Sequence, residues 1–307
     1  MFRIDLRFTA LCLTALLTAL PTPADAADPL AELGRSLFFD TDLSEPPGQA
    51  CATCHDPARA FSDPRASSAG SALSVGADGH SLGTRNTPGL TYVSLVPPFS
   101  RPNGHYQGGF FVDGRAGTLQ AQALEPLLNP LEMAPPDETA LVARVLAKPH
   151  YRAALAALFG DPVFDDQQAA LNAITTAIAA FERSKAFSTF DSRYDRYLTG
   201  DYEMTREEAI GREVFFSGLV NCIQCHLNDP NRVSPRETFT NHRYHNIGVP
   251  ENLALREMNG VAPGTIDEGL ALNPALAGDP SARGKFRSPT LRNVAVTGPY
   301  MHNGVFA

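Results

Sequence analysis

The pentapeptide Cys-x-x-Cys-His occurs twice in the 307-residue chain, beginning at Cys51 and at Cys222. This pentapeptide attaches a c-type haem: the two thiols form thioethers to the haem, and the histidine becomes the proximal ligand of the iron. For a single copy, a redox-active or zinc-binding cysteine pair is the alternative. Two copies that both end in histidine favour two covalent haems, since the only other cysteine is Cys12. The predicted haem-binding residues are Cys51, Cys54, His55, Cys222, Cys225 and His226, with His55 and His226 as iron ligands.

The segments that precede the two motifs resemble each other. A Gly-Arg-x-x-Phe-Phe frame begins at Gly34 and again at Gly211. Apolar residues recur at helical spacing in each copy, which predicts a short amphipathic helix leading to each haem-binding turn. A repeated unit of this kind predicts a mainly α fold with two cytochrome c-like domains, each with one covalently bound haem, joined by long loops. The apolar positions are Leu33, Leu37 and Phe38 in the first copy and Ile210, Val214 and Phe215 in the second.

The N-terminus has the organisation of a secretory signal peptide. Two arginines precede an apolar stretch from Phe8 to Leu20, and small residues around Asp25 offer a cleavage site. Residues 1–26 are therefore predicted to be removed, with the mature protein starting near Ala27. The apolar stretch is shorter than the about 20 residues of a membrane span. We expect an exported, periplasmic protein with no membrane anchor and no disulfide, because the haems use the four cysteines that remain.

Charge and length limit the partners and the domain organisation. The formal net charge of −8 argues against nucleic acid as a partner, because a nucleic-acid site needs an excess of cations. It is compatible with a small basic or dipolar redox donor. Roughly 280 mature residues suit two modest domains. The polar and aromatic stretch between Phe187 and Met204 divides the chain into an N-terminal haem domain, residues 27–198, and a C-terminal haem domain, residues 199–307.

Helical periodicity predicts further elements between the motifs. The segment from Asp137 to Phe159 is predicted as two short helices with a break near Pro149, and the Ala-rich segment from Asp165 to Phe187 as one long helix. A capping sequence at Thr205 predicts the start of the helix before the second motif. Residues 61–110 contain many Gly, Ser and Pro residues without a period, which predicts a long functional loop. No strong strand pattern is present.

Several further motifs resemble one family, the bacterial di-haem cytochrome c peroxidases and their relatives of the MauG type. The resemblance extends from about Leu33 to the end of the chain, and the motifs follow the order found in the family. They are Leu37-Phe38-Phe39-Asp40, Arg85-Asn86-Thr87-Pro88, Asp113-Gly114-Arg115-Ala116, Gln122, Glu132-Met133, His245-Asn246-Ile247-Gly248-Val249-Pro250, Pro289-Thr290-Leu291-Arg292-Asn293-Val294 and Pro299-Tyr300-Met301-His302-Asn303-Gly304.

The resemblance assigns a role to each haem. His55 would be the proximal ligand of the haem that reduces hydrogen peroxide, and His226 that of the haem that receives electrons from a small cytochrome c or cupredoxin. Glu132 matches the carboxylate on the distal side of the peroxidatic haem, where peroxide must lose one proton and regain another. Gln122 matches the neighbouring amide that orients peroxide or its water. The resemblance is also compatible with a homodimer.

Two more features follow from the resemblance. His80, in a loop before Arg85, stands where many family members have a histidine that closes the distal site of the peroxidatic haem until the enzyme is reduced. An exposed loop histidine is the alternative for His80. The family also holds a calcium ion between the haems, for which Asn86 would supply its side-chain oxygen and Thr297 and Pro299 their carbonyls.

The chain departs from the family at two places. Val112 stands where the family has a tryptophan between the haems, and the chain contains no tryptophan. Electron transfer would then use the haem edges or an aromatic residue such as Phe110 or Phe111. We also expect the distal ligand of the second haem to lie beyond Ala307. Three functions are compatible with the sequence: a peroxide reductase, a MauG-like enzyme that oxidises a protein side chain, and a non-enzymatic di-haem electron carrier.

Overall fold

The computed structural model describes residues 28–65, 73–229 and 234–307, and these residues form a mainly helical fold. The predicted signal peptide, its cleavage position near Ala27 and Cys12 lie outside the described residues. Within the described ranges no helix is long and apolar enough to cross a membrane. The helices are α1 (Pro29–Phe38), α2 (Cys51–Cys54), α3 (Leu119–Leu128), α4 (Glu138–Leu146), α5 (Pro149–Phe159), α6 (Gln167–Glu182), α7 (Arg193–Thr199), α8 (Arg206–Phe216) and α9 (Leu253–Asn259).

Short 3₁₀ helices and a minimal sheet complete the described fold. The sheet is one antiparallel pair, β1 (Tyr244–His245) with β2 (Phe286–Arg287), in which Tyr244 is opposite Arg287. The 3₁₀ helices are Thr41–Leu43, Pro57–Arg59, Val93–Leu95, Pro102–Gly104, Asp161–Phe164, Lys185–Phe187, Cys222–Gln224, Leu270–Leu272, Pro274–Leu276 and Pro280–Ala282.

The predicted helices are confirmed, with one difference in length. Helices α4 and α5 are separate as expected, and α8 begins with a capping box in which the Thr205 hydroxyl accepts from the amide of Glu208. Helix α6 ends at Glu182, earlier than predicted. The chain turns there so that Phe187 can return to the core, where its ring stacks on that of Phe61 at 3.9 Å between centroids. Tertiary packing thus ends a segment whose composition would allow a longer helix.

The core of the N-terminal half forms where α1 crosses α6. The crossing is close at Gly34, since a Cβ atom at this position would lie 1.8 Å from the carbonyl oxygen of Ala177. Only glycine permits this approach of two backbones. The apolar face of α1, including Leu37 and Phe38, is fully buried against α6. Helices α3, α4 and α5 pack around the same core and hold α2, with the first Cys-x-x-Cys-His motif, at its edge.

Helix α8 is the counterpart of α1 in sequence, yet it is packed differently. Its predicted apolar face is exposed, with Ile210 at 53% and Val214 at 45% exposure. Within the described residues α8 has no buried side chain and packs mainly against the turn that carries Cys222. The helix prediction is confirmed, but the burial that the repeated frame suggested is found only in α1.

Ion pairs connect the loop after the first haem motif with the C-terminal half. Arg85 donates to Asp113 at 2.5 Å and to Asp267 at 2.6 Å. Arg292 makes a bidentate pair with Asp195 in which both bonds are 2.8 Å long. Both arginines are largely buried, and bidentate guanidinium–carboxylate pairs are strong and specific in geometry. The pairs Arg85–Asp267 and Arg292–Asp195 therefore connect residues of the N-terminal half with residues of the C-terminal half.

Candidate functional site: two haem-binding motifs and a buried carboxylate

The first motif presents its histidine in an oriented form. Helix α2 carries both cysteines, and the amide of His55 donates to the carbonyl of Cys51 at 2.9 Å. The His55 Nδ1 atom lies 2.9 Å from the carbonyl oxygen of Phe61. Burial lowers the pKa of His55, which favours the neutral imidazole. A neutral ring tied through Nδ1 leaves Nε2 for an iron, as in most histidine–metal sites.

The second motif repeats this arrangement at a different place in the fold. His226 Nδ1 lies 3.2 Å from the carbonyl oxygen of Phe239, and burial lowers the pKa of His226. Both phenylalanines have a left-handed backbone, with φ of 58° at Phe61 and 54° at Phe239. This conformation is unusual for a bulky residue and marks a constrained site. In addition to the pentapeptide, the two motifs therefore share a tertiary contact between the histidine Nδ1 and the carbonyl of a left-handed phenylalanine.

Neither carbonyl acceptor was predicted from the sequence, although a signal was present. Phe61 is followed by Ser-Asp and Phe239 by Thr-Asn, so an aromatic, a hydroxyl and an Asx residue recur downstream of both motifs. The spacing from the histidine differs, with Phe61 six residues after His55 and Phe239 thirteen after His226. That difference conceals the repeat when the motifs are aligned by position.

The donor set fits a covalently attached haem better than a metal bound by protein alone. Burial raises the pKa of Cys51 to about 12 and that of Cys54 to about 11, so both are thiols at neutral pH. Among the described residues no group of three or more His, Cys, Asp or Glu side chains could hold a metal ion. Cys51, Cys54, Cys222 and Cys225 form no disulfide in the structure.

The structure brings Glu132 to the first motif. Gln49 joins the two, because its Nε2 atom lies 3.3 Å from the Glu132 carbonyl oxygen and 3.8 Å from the sulfur of Cys54. Burial raises the pKa of the Glu132 carboxyl above its ordinary value, and the nearby Arg115 opposes this shift. Glu132 is thus a carboxyl whose proton affinity is increased, beside the haem-attaching cysteines. Gln49 was not identified from the sequence.

Gln122 lies on α3, and its side chain is buried. The amide oxygen Oε1 has no hydrogen-bond partner within the described part of the chain. A buried carbonyl oxygen without a partner is costly unless a ligand or water supplies the hydrogen bond. Such an acceptor suits a site that receives a small hydroxylic molecule.

His80 lies near this site but does not point into it. The loop carrying it contacts the Glu132 segment, since the Ala77 amide donates to the Glu132 carbonyl at 2.7 Å. The His80 side chain itself is 81% exposed at the tip of the loop, and its Nε2 atom lies 3.2 Å from a carboxylate oxygen of Asp78. Ligation of an iron by His80 would require this loop to rearrange.

Two of the three predicted calcium ligands lie together. The side-chain nitrogen Nδ2 of Asn86 lies 2.6 Å from the carbonyl oxygen of Pro299. The backbone amide of Asn86 donates to the His302 carbonyl at 2.8 Å. No hydrogen bond links Thr297 to Asn86, but Thr297 Cγ2 lies 3.7 Å from where a Cβ of Gly89 would be. The segment after Asn86 and the segment before Pro299 are therefore neighbours.

Two arginines contact the segment around Val112, the position at which the family has a tryptophan. The Arg115 guanidinium lies 3.6 Å from the centroid of the Phe111 ring. The Arg287 amide donates to the Val112 carbonyl at 2.8 Å. Val112 offers no aromatic ring, so Phe110 and Phe111 are the aromatic side chains next to it.

Glu182, at the end of α6, is a buried carboxyl that the sequence analysis did not single out. It is 3% exposed, and its Oε2 atom has no hydrogen-bond partner among the described residues. Burial raises the pKa of Glu182 to about 8, and the nearby Arg183 opposes the shift. Its charge contributes to the raised pKa of Cys51, which places it beside the first haem motif. No local pattern distinguishes it from an exposed helix-end glutamate.

Comparison with known proteins identifies the relatives of this chain. Residues 28–203 match the family model described as di-haem cytochrome c peroxidase. The chain is 52% identical over 285 residues to methylamine utilization protein MauG of Paracoccus denitrificans, covering 92% of this chain and 72% of that protein. It is 31% identical to cytochrome c551 peroxidase of Nitrosomonas europaea, covering 92% of this chain and 70% of that protein.

A solved structure agrees in fold. The di-haem peroxidase BthA from Burkholderia thailandensis matches with a TM-score of 0.81 and 37% identity, over 90% of this chain and 68% of that chain. These findings confirm the predicted mainly α fold with two cytochrome c-like domains and agree with one c-type haem at each pentapeptide. The chain belongs to the di-haem cytochrome c peroxidase family.

Proposed function

We propose that the protein reduces hydrogen peroxide to water in the periplasm, at the haem attached through Cys51 and Cys54. The observation that carries this proposal is the position of Glu132, which Gln49 joins to Cys54 and whose pKa is raised by burial. When bound, the haem supplies an iron that coordinates peroxide and passes electrons to it. An acid–base group beside that iron is what distinguishes a peroxidase from an electron carrier.

Glu132, Gln122 and Arg115 have different roles in the proposed proton transfer. Glu132 accepts the proton that peroxide loses on binding and returns it to the oxygen that leaves as water. Gln122 accepts a hydrogen bond from the peroxide hydroxyl through the buried amide oxygen that otherwise lacks a partner. Arg115, which is paired with Asp113 and Glu125, limits how far the pKa of Glu132 rises. Each turnover consumes two electrons and two protons and yields two waters.

The second haem, with His226 as proximal ligand, receives electrons one at a time from a small cytochrome c or cupredoxin. The proximity of Asn86 and Pro299 supports a calcium ion between the haem domains. Rotation of the Asn86 amide would place its oxygen beside the Pro299 carbonyl, and two facing oxygens are favourable only with a cation between them. Thr297 would complete the set with its carbonyl oxygen.

A second candidate function shares the peroxide step but takes the electrons from a protein side chain, as proposed for a MauG-like enzyme. The 52% identity to a MauG protein is the observation that supports this second candidate. Val112 at the usual tryptophan position agrees with an altered path between the haems. The exposed His80 agrees with a distal site that is not closed in the resting state.

The electron source can be tested with the purified di-haem protein. A reduced small cytochrome c is mixed with a limiting amount of peroxide, and donor oxidation is followed by stopped-flow absorbance. Peroxide reduction predicts two donors oxidised per peroxide through many turnovers. A donor that stays reduced while peroxide is consumed would contradict the proposal. Oxidised side chains in a partner protein incubated with the enzyme and peroxide, found by mass spectrometry, would then support the MauG-like alternative.

A further inference from the structure

A group of basic side chains, in which Arg243 and Lys285 carry the positive charge and which we call the cationic group, lies beside the second haem motif without acidic partners among the described residues. It consists of Arg243 and His245, on and next to β1, and Lys285, which precedes β2. Nε of Arg243 and Nε2 of His245 are buried and have no hydrogen-bond partner among the described residues. Neither Arg243 nor Lys285 forms a salt bridge within the same residues. In a chain with a net charge of −8, this is an unusual concentration of uncompensated positive charge.

The surroundings of His245 show where this cationic group faces. After burial, the groups that lower the pKa of His245 are Arg243, Lys285, His105 and His226. All four are basic, and His226 is the predicted ligand of the second iron. The Asn241 backbone amide donates to the Cys225 carbonyl at 2.9 Å, and the Arg243 backbone amide donates to the Asn241 side chain, so the cationic group lies beside the second haem motif. The neighbouring Arg287 belongs to a different contact, since it lies 3.3 Å from His242.

Buried donors without acceptors are costly, and a buried uncompensated guanidinium is more so. A ligand with fixed carboxylates at this place would supply both the acceptors and the opposite charge. A c-type haem carries two propionate carboxylates on the edge away from its thioether bonds. We propose that Arg243, His245 and Lys285 bind the propionate carboxylates of the second haem. This inference rests on the attachment of that haem at Cys222 and Cys225.

The binding has a consequence for electron transfer. Reduction adds one negative charge to a haem, so nearby cations stabilise the reduced form and raise the reduction potential. Burial increases this effect because it lowers the local dielectric constant. The cationic group would thus make the second haem a better electron acceptor, which is the role proposed for it.

The test measures the reduction potential of each haem in the purified di-haem protein. Arg243→Gln should shift the potential of the second haem to a more negative value, and adding Lys285→Gln should shift it further. The first haem serves as internal reference and should not change. Each haem is followed by its own electron paramagnetic resonance signal during a redox titration. In resonance Raman spectra, the propionate bending bands should change in the same variants, because they report hydrogen bonding to the carboxylates.

Arg283→Gln is the matched control, because it removes the same charge from an exposed residue already paired with Glu268. Arg243→Lys keeps the positive charge, so the reduction potential of the second haem should change much less than in Arg243→Gln. Equal potentials for Arg243→Gln and Arg283→Gln, or equal shifts of both haems, would overturn the proposal. A second-haem potential in the wild type that follows the acetate or chloride concentration would instead identify a site for free anions. Peroxide turnover is not measured, so failure of the proposed function would leave this test unaffected.

Discussion

At the scale of single residues, the proposed chemistry depends on the ionisation of Glu132. Its pKa is raised mainly because burial disfavours the charged carboxylate. A base must be deprotonated to accept a proton, so activity should be lost as the pH falls through this raised pKa. The acid limb of the pH–rate profile should therefore lie above the ordinary carboxyl value of 4.5. Arg115 is the nearby charge that limits this shift.

Glu132→Gln should lower peroxide turnover by on the order of 10²-fold, since one positioned acid–base group contributes about that much. The variant should keep both haems and both reduction potentials, because Glu132 ligates neither iron. The acid limb of the pH profile should disappear with it. Glu207→Gln, which removes an exposed carboxyl on α8, serves as control. Wild-type turnover in Glu132→Gln would refute the role assigned to Glu132.

The role of His80 at the distal side of the first haem can be tested directly. If His80 closes that site, the oxidised protein should contain two low-spin haems, and reduction of the second haem should release the ligand by shifting the loop equilibrium. His80→Ala would then give a high-spin signal without prior reduction. The exposed position of His80 beside Asp78 predicts the other result, a high-spin haem already present in the wild type. Electron paramagnetic resonance of both ferric proteins at neutral pH distinguishes the two.

At the scale of elements, the repeated helices α1 and α8 begin from the same frame and have different neighbours. Gly34 in α1 allows the backbone of α6 to approach, whereas a Cβ at Gly211 in α8 would meet no atom of the described residues within 4 Å. The glycine that the two helices share therefore has a packing function in one copy only. In the other copy it is a helix-interior glycine that lowers helix stability.

This difference gives a matched pair of substitutions. Gly34→Ala should destabilise the protein by about 1–3 kcal/mol or more, because α1 must move away from α6 to accommodate the methyl group. Gly211→Ala should be neutral or stabilise the protein by up to about 1 kcal/mol through helix propensity. Denaturant unfolding of the two purified variants gives both free energies. Similar effects of the two substitutions would show that the crossing of α1 and α6 is not close at Gly34.

At the scale of the whole molecule, the two motifs and the family agree on two covalent haems. The purified mature protein should gain the mass of two haems, and both should remain bound after denaturation, because thioether bonds survive unfolding. Intact-protein mass spectrometry measures this directly. A gain of one haem, or haem extracted by acidified acetone, would contradict the di-haem assignment. Cys222→Ala together with Cys225→Ala should reduce the gain to one haem and serves as the reference.

The sequence alone determined the parts of this protein that depend on neighbouring residues. Covalent haem attachment needs two thiols and an imidazole within five positions, so Cys51 to His55 could be recognised without a fold. Helix starts such as Thr205 depend on a side chain three residues from its acceptor, and α8 begins where the capping sequence predicts. The resemblance located Glu132, whose role stays a prediction, and the structure confirms only its position beside the first motif.

Only the tertiary structure decided the features that depend on residues distant in the chain. The partner of each haem histidine is a carbonyl on a left-handed phenylalanine, whose conformation follows from the surrounding fold. Glu182 has a raised pKa because packing buries it, and its local sequence contains no sign of this. The Gly34 contact and the cationic group around His245 likewise join segments far apart in the chain. Long-range packing determines burial, and burial determines the charge states on which this chemistry depends.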